Sequence, residues 1–77
     1  MAKILIVDDD ILITGLMQTL VNMDGHEAII VNDSNEAMET AISVRPNLIT
    51  LDLMMPGLSG YDLCELLRAN PQFNQTP

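Results

Sequence analysis

Ile4-Leu5-Ile6-Val7 is an unbroken apolar run that ends abruptly in three carboxylates, Asp8-Asp9-Asp10. No polar residue alternates with the apolar ones. A strand of this kind is covered on both faces, as in a parallel sheet, and not half-solvated as in a hairpin. Parallel neighbours cannot be joined by a tight turn; each pair needs a crossover, usually a helix. The sequence supplies it. In residues 11–23, Ile13, Leu16, Met17, Leu20 and Val21 recur at helical spacing and define the expected inner face. Asp10 is placed as the N-cap, and Asp24-Gly25 is a stop signal. Gly15 within the segment lowers helix stability by roughly 1 kcal/mol relative to alanine.

The same cycle recurs twice. Glu27 to Val31 is a second apolar run, broken by Asn32-Asp33-Ser34. Asp33 and Glu36 have capping-box spacing and open a helix whose inner face is Ala37, Met38, Ala41 and Ile42. That helix closes at Arg45-Pro46, because a residue before proline avoids helical backbone. Leu48 to Leu53 reads as a third strand, and Met55 to Gly60 as a loop. Ser59 and Asp62 cap a third helix with Leu63, Leu66 and Leu67 facing inward, ending near Asn70-Pro71. Gln72 to Pro77 shows no pattern. The β-α-β-α-β-α order predicts one α/β unit with parallel strands and right-handed crossovers.

Composition narrows the function classes. Eleven acids against three bases give a net charge of −8, which argues against direct nucleic-acid contact and against anionic membrane surfaces. The apolar stretches are far too short to span a bilayer, and no signal peptide is expected before the first strand. Cys64 has no partner for an internal disulfide, which fits a reducing compartment, and a cytoplasmic location is expected. His26 lacks a second histidine or cysteine at ligand spacing and is read as a loop residue. Tyr61 and Phe73 offer no stacking platform, and the six methionines read as core filler.

The chemistry is expected at the carboxyl ends of the first and third strands, the edge where open α/β sheets bind ligands. If those strands are neighbours, Asp8, Asp9 and Asp52 converge. Clustered carboxylates raise one another's pKa or recruit a cation, and an all-oxygen set suits Mg²⁺ better than zinc. The poorly hydrated carboxylate of Asp52, collared by Leu51 and Leu53, could act as a nucleophile toward phosphorus. Capping and solvation are the plainer roles open to these acids, above all for Asp10.

The segment Lys3 to Asp10 together with Leu51-Asp52-Leu53-Met54-Met55-Pro56-Gly57-Leu58-Ser59-Gly60 resembles the receiver (CheY-like) domain of bacterial two-component response regulators. The resemblance implies a flavodoxin-like sheet of order 2-1-3 in this region. It implies a phosphoacceptor module of a phosphorelay: Asp52 accepts a phosphoryl group from a histidine kinase, while Asp8, Asp9, Asp52 and the Met54 backbone carbonyl hold Mg²⁺. Such a module is modified once and is not an enzyme. Receivers continue through a fourth strand ending in Ser or Thr and a fifth ending in Lys, both of which touch the phosphoryl group. Residues 1–77 are therefore expected to be the first three βα units of a receiver, with impaired phosphorylation; neither Lys3 nor Thr50 is placed to substitute.

Ending there, the third strand would present an apolar edge, Leu48-Ile49-Thr50-Leu51, and such an edge pairs with other chains. A homodimer through that edge or through helix faces is expected. Two other classes compete with the phosphoacceptor. One is a structural, self-associating half-flavodoxin fragment, natural or engineered, without signalling activity. The other is a haloacid-dehalogenase-type phosphatase using Asp8 and Asp10, which is weak because no catalytic lysine follows.

Overall fold

A computed structural model describes residues 1–77. Its elements are β1 (Lys3–Val7), α1 (Ile11–Met23), β2 (Glu27–Val31), α2 (Ala37–Val44), β3 (Leu48–Leu51) and α3 (Gly60–Ala69), with one 3-10 turn, Ser34–Glu36, before α2. The three strands form a parallel sheet of order β2-β1-β3. Register pairs Val7 with Val31 on one side and with Leu51 on the other, so all three strands end at the same level.

The chain winds from β1 to β2 on one side and then back past β1 to β3 on the other, so right-handed crossovers place α1 and α2 on opposite faces. On the α2 and α3 face, Leu5, Val7, Val31, Ala37, Ala41, Met55, Leu63, Leu67 and Phe73 make one core. Ile4 and Ile6, alternate residues of β1, are buried toward α1.

Caps act largely as their residue types require. Asp10 accepts from the Leu12 and Ile13 amides, and Ser59 from the Asp62 amide. Gly25, at φ 83°, takes the left-handed position that ends α1. Asp33 caps the 3-10 turn through the Asn35 amide, and α2 begins only at Ala37 without a side-chain cap bond from Glu36. Arg45 leaves α2 in the left-handed region at φ 54°, ahead of Pro46. His26 is half-buried, and its Nδ1 accepts from the Ala2 amide at 3.0 Å, tying the start of β1 to the turn before β2.

Three expectations need correction. β3 stops at Leu51, two residues early, because the Asp52 carboxylate accepts from the Met54 amide at 3.1 Å and bends the chain off the ladder. The inner line of α1 is Thr14, Met17 and Val21; Ile13, Leu16 and Leu20 stay 43–59% exposed. Its apolar arc is wider than a three-stranded sheet can cover. Ile42 and Leu66 are likewise about half exposed.

The tail, finally, is ordered by contacts that no local pattern announces. Residues 71–75 form turns that bury Phe73 in the core, and the Arg68 guanidinium donates to the Phe73 carbonyl at 3.0 Å. Ile49 then donates its amide to the Pro77 carbonyl at 2.9 Å, so the outer edge of β3 is engaged at one point.

Candidate functional site

β1 and β3 are hydrogen-bonded neighbours, and the chain leaves them in opposite directions, toward α1 and α3. That junction is the switch point of the sheet, where the strand ends leave a crevice. Asp8 continues β1 and donates its amide to the Val31 carbonyl at 3.1 Å; Asp52 continues β3 and donates to the Val7 carbonyl at 2.9 Å. Register alone therefore sets Asp8 beside Asp52. Carboxylate oxygens of Asp8, Asp9 and Asp52 lie within 4.8 Å of one another, with Asp8 and Asp52 half-buried and Asp9 exposed.

Gly60 lets the rim be this tight. A Cβ there would press on the Asp52 carbonyl oxygen and stand 2.6 Å from the Leu53 Cα. Bare Gly60 allows α3 to start directly against the strand end that carries Asp52.

The electrostatics follow from the crowding. The Asp8 carboxylate accepts a hydrogen bond from the Asp10 amide at 2.9 Å, which favours its ionised form. That pull is outweighed together by desolvation, the Asp52 charge, a side-chain hydrogen bond to Asp52 and the Asp9 charge, and the Asp8 pKa is raised. A proton or a cation relieves the repulsion. Opposite ligands of an octahedral Mg²⁺ stand about 4.2 Å apart, twice a bond of roughly 2.1 Å. With carboxylate oxygens within 4.8 Å of one another, rotation of these side chains can bring them into the coordination shell of such an ion.

Three of the four residues singled out from the sequence, Asp8, Asp9 and Asp52, come together at one rim. Met54 projects its side chain into solvent, and its amide orients the Asp52 carboxylate. Asp10 faces the other way in function: it is the cap of α1. Sequence reading missed Asn32 and Thr14. Asn32 Nδ2 donates to the Asp8 carbonyl at 2.8 Å and to Thr14 Oγ1 at 3.1 Å. A polar residue directly after a buried strand was the only local signal.

The charge distribution is lopsided. Seven of the eleven acids, Asp8, Asp9, Asp10, Asp33, Glu36, Asp52 and Asp62, stand at this rim, where strands end and helices begin. The three bases, Lys3, Arg45 and Arg68, stand at the other. Lys3 donates there to the Val44 carbonyl at the end of α2.

Fold and rim together define an open parallel α/β module with an acidic switch-point site. The model of the response regulator receiver domain matches residues 4–77, and the chain belongs to that family. It is 35% identical over 68 residues to the DNA-binding response regulator MtrA of Mycobacterium tuberculosis, covering 88% of this chain and 30% of that protein. It is 44% identical over 66 residues to the probable transcriptional regulator ycf27 of Cyanophora paradoxa, covering 86% of this chain and 28% of that one.

Among solved structures, a chemotaxis response regulator of Vibrio cholerae superposes at a TM-score of 0.95 with 32% identity, over 100% of this chain and 64% of that one. The N-terminal domain of a response regulator receiver protein from Methanoculleus marisnigri gives 0.95 at 27% identity, over 100% and 63%. The chain thus spans under a third of the curated relatives' length. No helix is long and apolar enough to cross a membrane.

Proposed function

We propose that residues 1–77 carry the phosphoacceptor site of a two-component phosphorelay, with Asp52 as the acceptor and a histidine kinase as the donor partner. The observation that carries this reading is the convergence of Asp8, Asp9 and Asp52 on one strand-end rim. Asp8, Asp9 and Asp52, with the Met54 carbonyl, would hold Mg²⁺. Bound there, the ion supplies positive charge against the phosphoryl oxygens.

The chain's own contribution is placement. The Met54 amide donates to Asp52 Oδ1 and restrains rotation of the carboxylate that would attack phosphorus. Transfer breaks the phosphorus–nitrogen bond of the phosphohistidine and forms a phosphorus–oxygen bond to Asp52. The electron pair leaves with the imidazole, which takes a proton from solvent. Asp52 is consumed once per event, so the role is that of a stoichiometric acceptor and not an enzyme. The hydroxyl and lysine that the family resemblance puts on a fourth and fifth strand are not among residues 1–77, which supports slow phosphorylation of this segment alone.

The bases are few and stand away from the site, which favours a protein partner over nucleic acid for these residues; a cytoplasmic location accords with that partner. We further propose self-association into a homodimer. Its support is α1, which has no charged residue and leaves Leu16, Leu20 and Met23 more than half exposed, and the sparsely engaged outer edge of β3. A compact monomer in sedimentation at micromolar concentration would remove the dimer.

The acceptor reading is tested by NMR titration with millimolar Mg²⁺ and by mass spectrometry after treatment with a small acyl phosphate. Expected are shift changes centred on Asp8, Asp9 and Asp52, and a single phosphoryl adduct that Asp52→Asn abolishes. No Mg²⁺ response, or an adduct that survives Asp52→Asn, overturns it. The first of these results would leave a purely structural, self-associating module.

A further inference from the structure

Asn32 stands at the exit of β2, outside the acidic cluster, yet both hydrogens of its amide are spent on the loop that carries the cluster. One goes to the Asp8 carbonyl at 2.8 Å and the other to Thr14 Oγ1 at 3.1 Å. The orientation of the amide is fixed by chemistry. The Asp8 carbonyl can only accept, and the single hydroxyl hydrogen of Thr14 is directed to the Ile11 carbonyl at 3.2 Å, so Thr14 presents a lone pair. Only the NH₂ end of Asn32 satisfies both.

The two anchored atoms bracket the loop. The Asp8 carbonyl belongs to the peptide unit from which Asp9 springs, so holding it fixes the plane that aims the exposed Asp9 carboxylate. Thr14 is 2% exposed and lies in the first turn of α1, the rigid body that follows. Asp9 itself makes no side-chain hydrogen bond, unlike Asp8 and Asp52, which accept from backbone amides two residues on. Without Asn32, nothing outside the loop holds that peptide unit by a side chain.

We propose that Asn32, through Thr14, is a positioning residue that presets the Asp8–Asp9 peptide and thereby the cation affinity of the rim. The idea rests on the acceptor-site reading given above. Removing partners that orient metal ligands weakens affinity by about 10- to 100-fold. Asn32 lies at the low end of that range because the Asp8 carbonyl can be rehydrated. Asn32→Ala should therefore weaken Mg²⁺ binding about tenfold. Thr14→Val, which keeps shape but removes the acceptor, should give a smaller loss, and the double variant should be no weaker than Asn32→Ala alone, since both act through one bridge.

The experiment is a Mg²⁺ titration of the 77-residue chain and these variants by NMR, with backbone heteronuclear relaxation of the Asp9 and Asp10 amides recorded first without metal. Asn32→Ala should raise the mobility of both amides before any ion is added. Gly25→Ala is the control: its positive φ makes alanine strained, so stability falls at a position remote from the rim, and Mg²⁺ affinity should hold. Unchanged affinity and unchanged Asp9 mobility in both Asn32→Ala and Thr14→Val refute the positioning role, as do fully additive losses. If Asn32→Ala fails to fold, Thr14→Val alone decides. If the unaltered chain ignores Mg²⁺, the acceptor-site reading fails, while metal-free Asp9 mobility still decides whether Asn32 fixes the loop.

Discussion

Two glycine-to-alanine substitutions should move stability in opposite directions. At Gly60 the added methyl would press on the Asp52 carbonyl oxygen and stand 2.6 Å from the Leu53 Cα and 2.8 Å from the Asp52 carbonyl carbon. These are backbone atoms, which no rotamer change can move away. Restoring ordinary contact near 3.4 Å requires the Leu53 Cα to retreat by about 0.8 Å and the Asp52 carbonyl oxygen by more. That retreat works against the Asp52 amide bond to Val7 and the bond from the Met54 amide to Asp52 Oδ1.

Overpacking of this severity costs about 1–3 kcal/mol, and the gain in helix propensity, at most about 1 kcal/mol, does not cancel it. A net loss near 2 kcal/mol should lower Tm by about 10 °C in a chain of this size. At Gly15, in the middle of α1, a Cβ meets nothing within 4 Å, so alanine should stabilise by about 0.5–1 kcal/mol. Thermal and urea unfolding followed by circular dichroism give both values. The rim geometry is refuted if Gly60→Ala is as stable as the parent and leaves the Asp52 and Leu53 amide shifts unmoved.

Other outcomes follow from the same contacts. Phe73→Ala should cost about 3–5 kcal/mol and accelerate hydrogen exchange at the Ile49 amide, because the buried ring holds the tail that delivers the Pro77 carbonyl. Asp10→Ala should cost about 1 kcal/mol in urea unfolding and Asp10→Ser should recover most of it, since the carboxylate serves as a cap. For Asp8, the folded pKa lies above the unfolded value near 3.8, so the folded state binds more protons between the two. Metal-free stability should then fall as pH rises through that interval, and Asp8→Asn should remove the fall; urea midpoints across acidic pH measure it.

Much of the fold could be read directly because each element declares itself locally. Ile4 to Val7 is uniformly apolar, Asp10 and Ser59 precede their helices, and the two ends of β1 and β3 fall at Asp8 and Asp52. What escaped was whatever depends on partners distant in sequence. Phe73 looked patternless because its neighbours are Leu67, Ile49 and the core, not its own tail. The inward face of α1 was misplaced because Thr14, polar in the sequence, is turned inward to meet an amide eighteen residues away. β3 was drawn too long because Leu53 extends the apolar run, whereas the side chain of Asp52 captures the Met54 amide and ends the ladder.

The separation of acids and bases between the two rims gives the molecule a permanent electric moment along its strands. An approaching cation is drawn, and a basic surface on another protein is drawn and turned, toward the end bearing Asp8, Asp9 and Asp52 before contact is made. Because that guidance acts through solvent over roughly 8–10 Å at physiological ionic strength, added salt slows arrival at the rim while leaving residence there largely untouched.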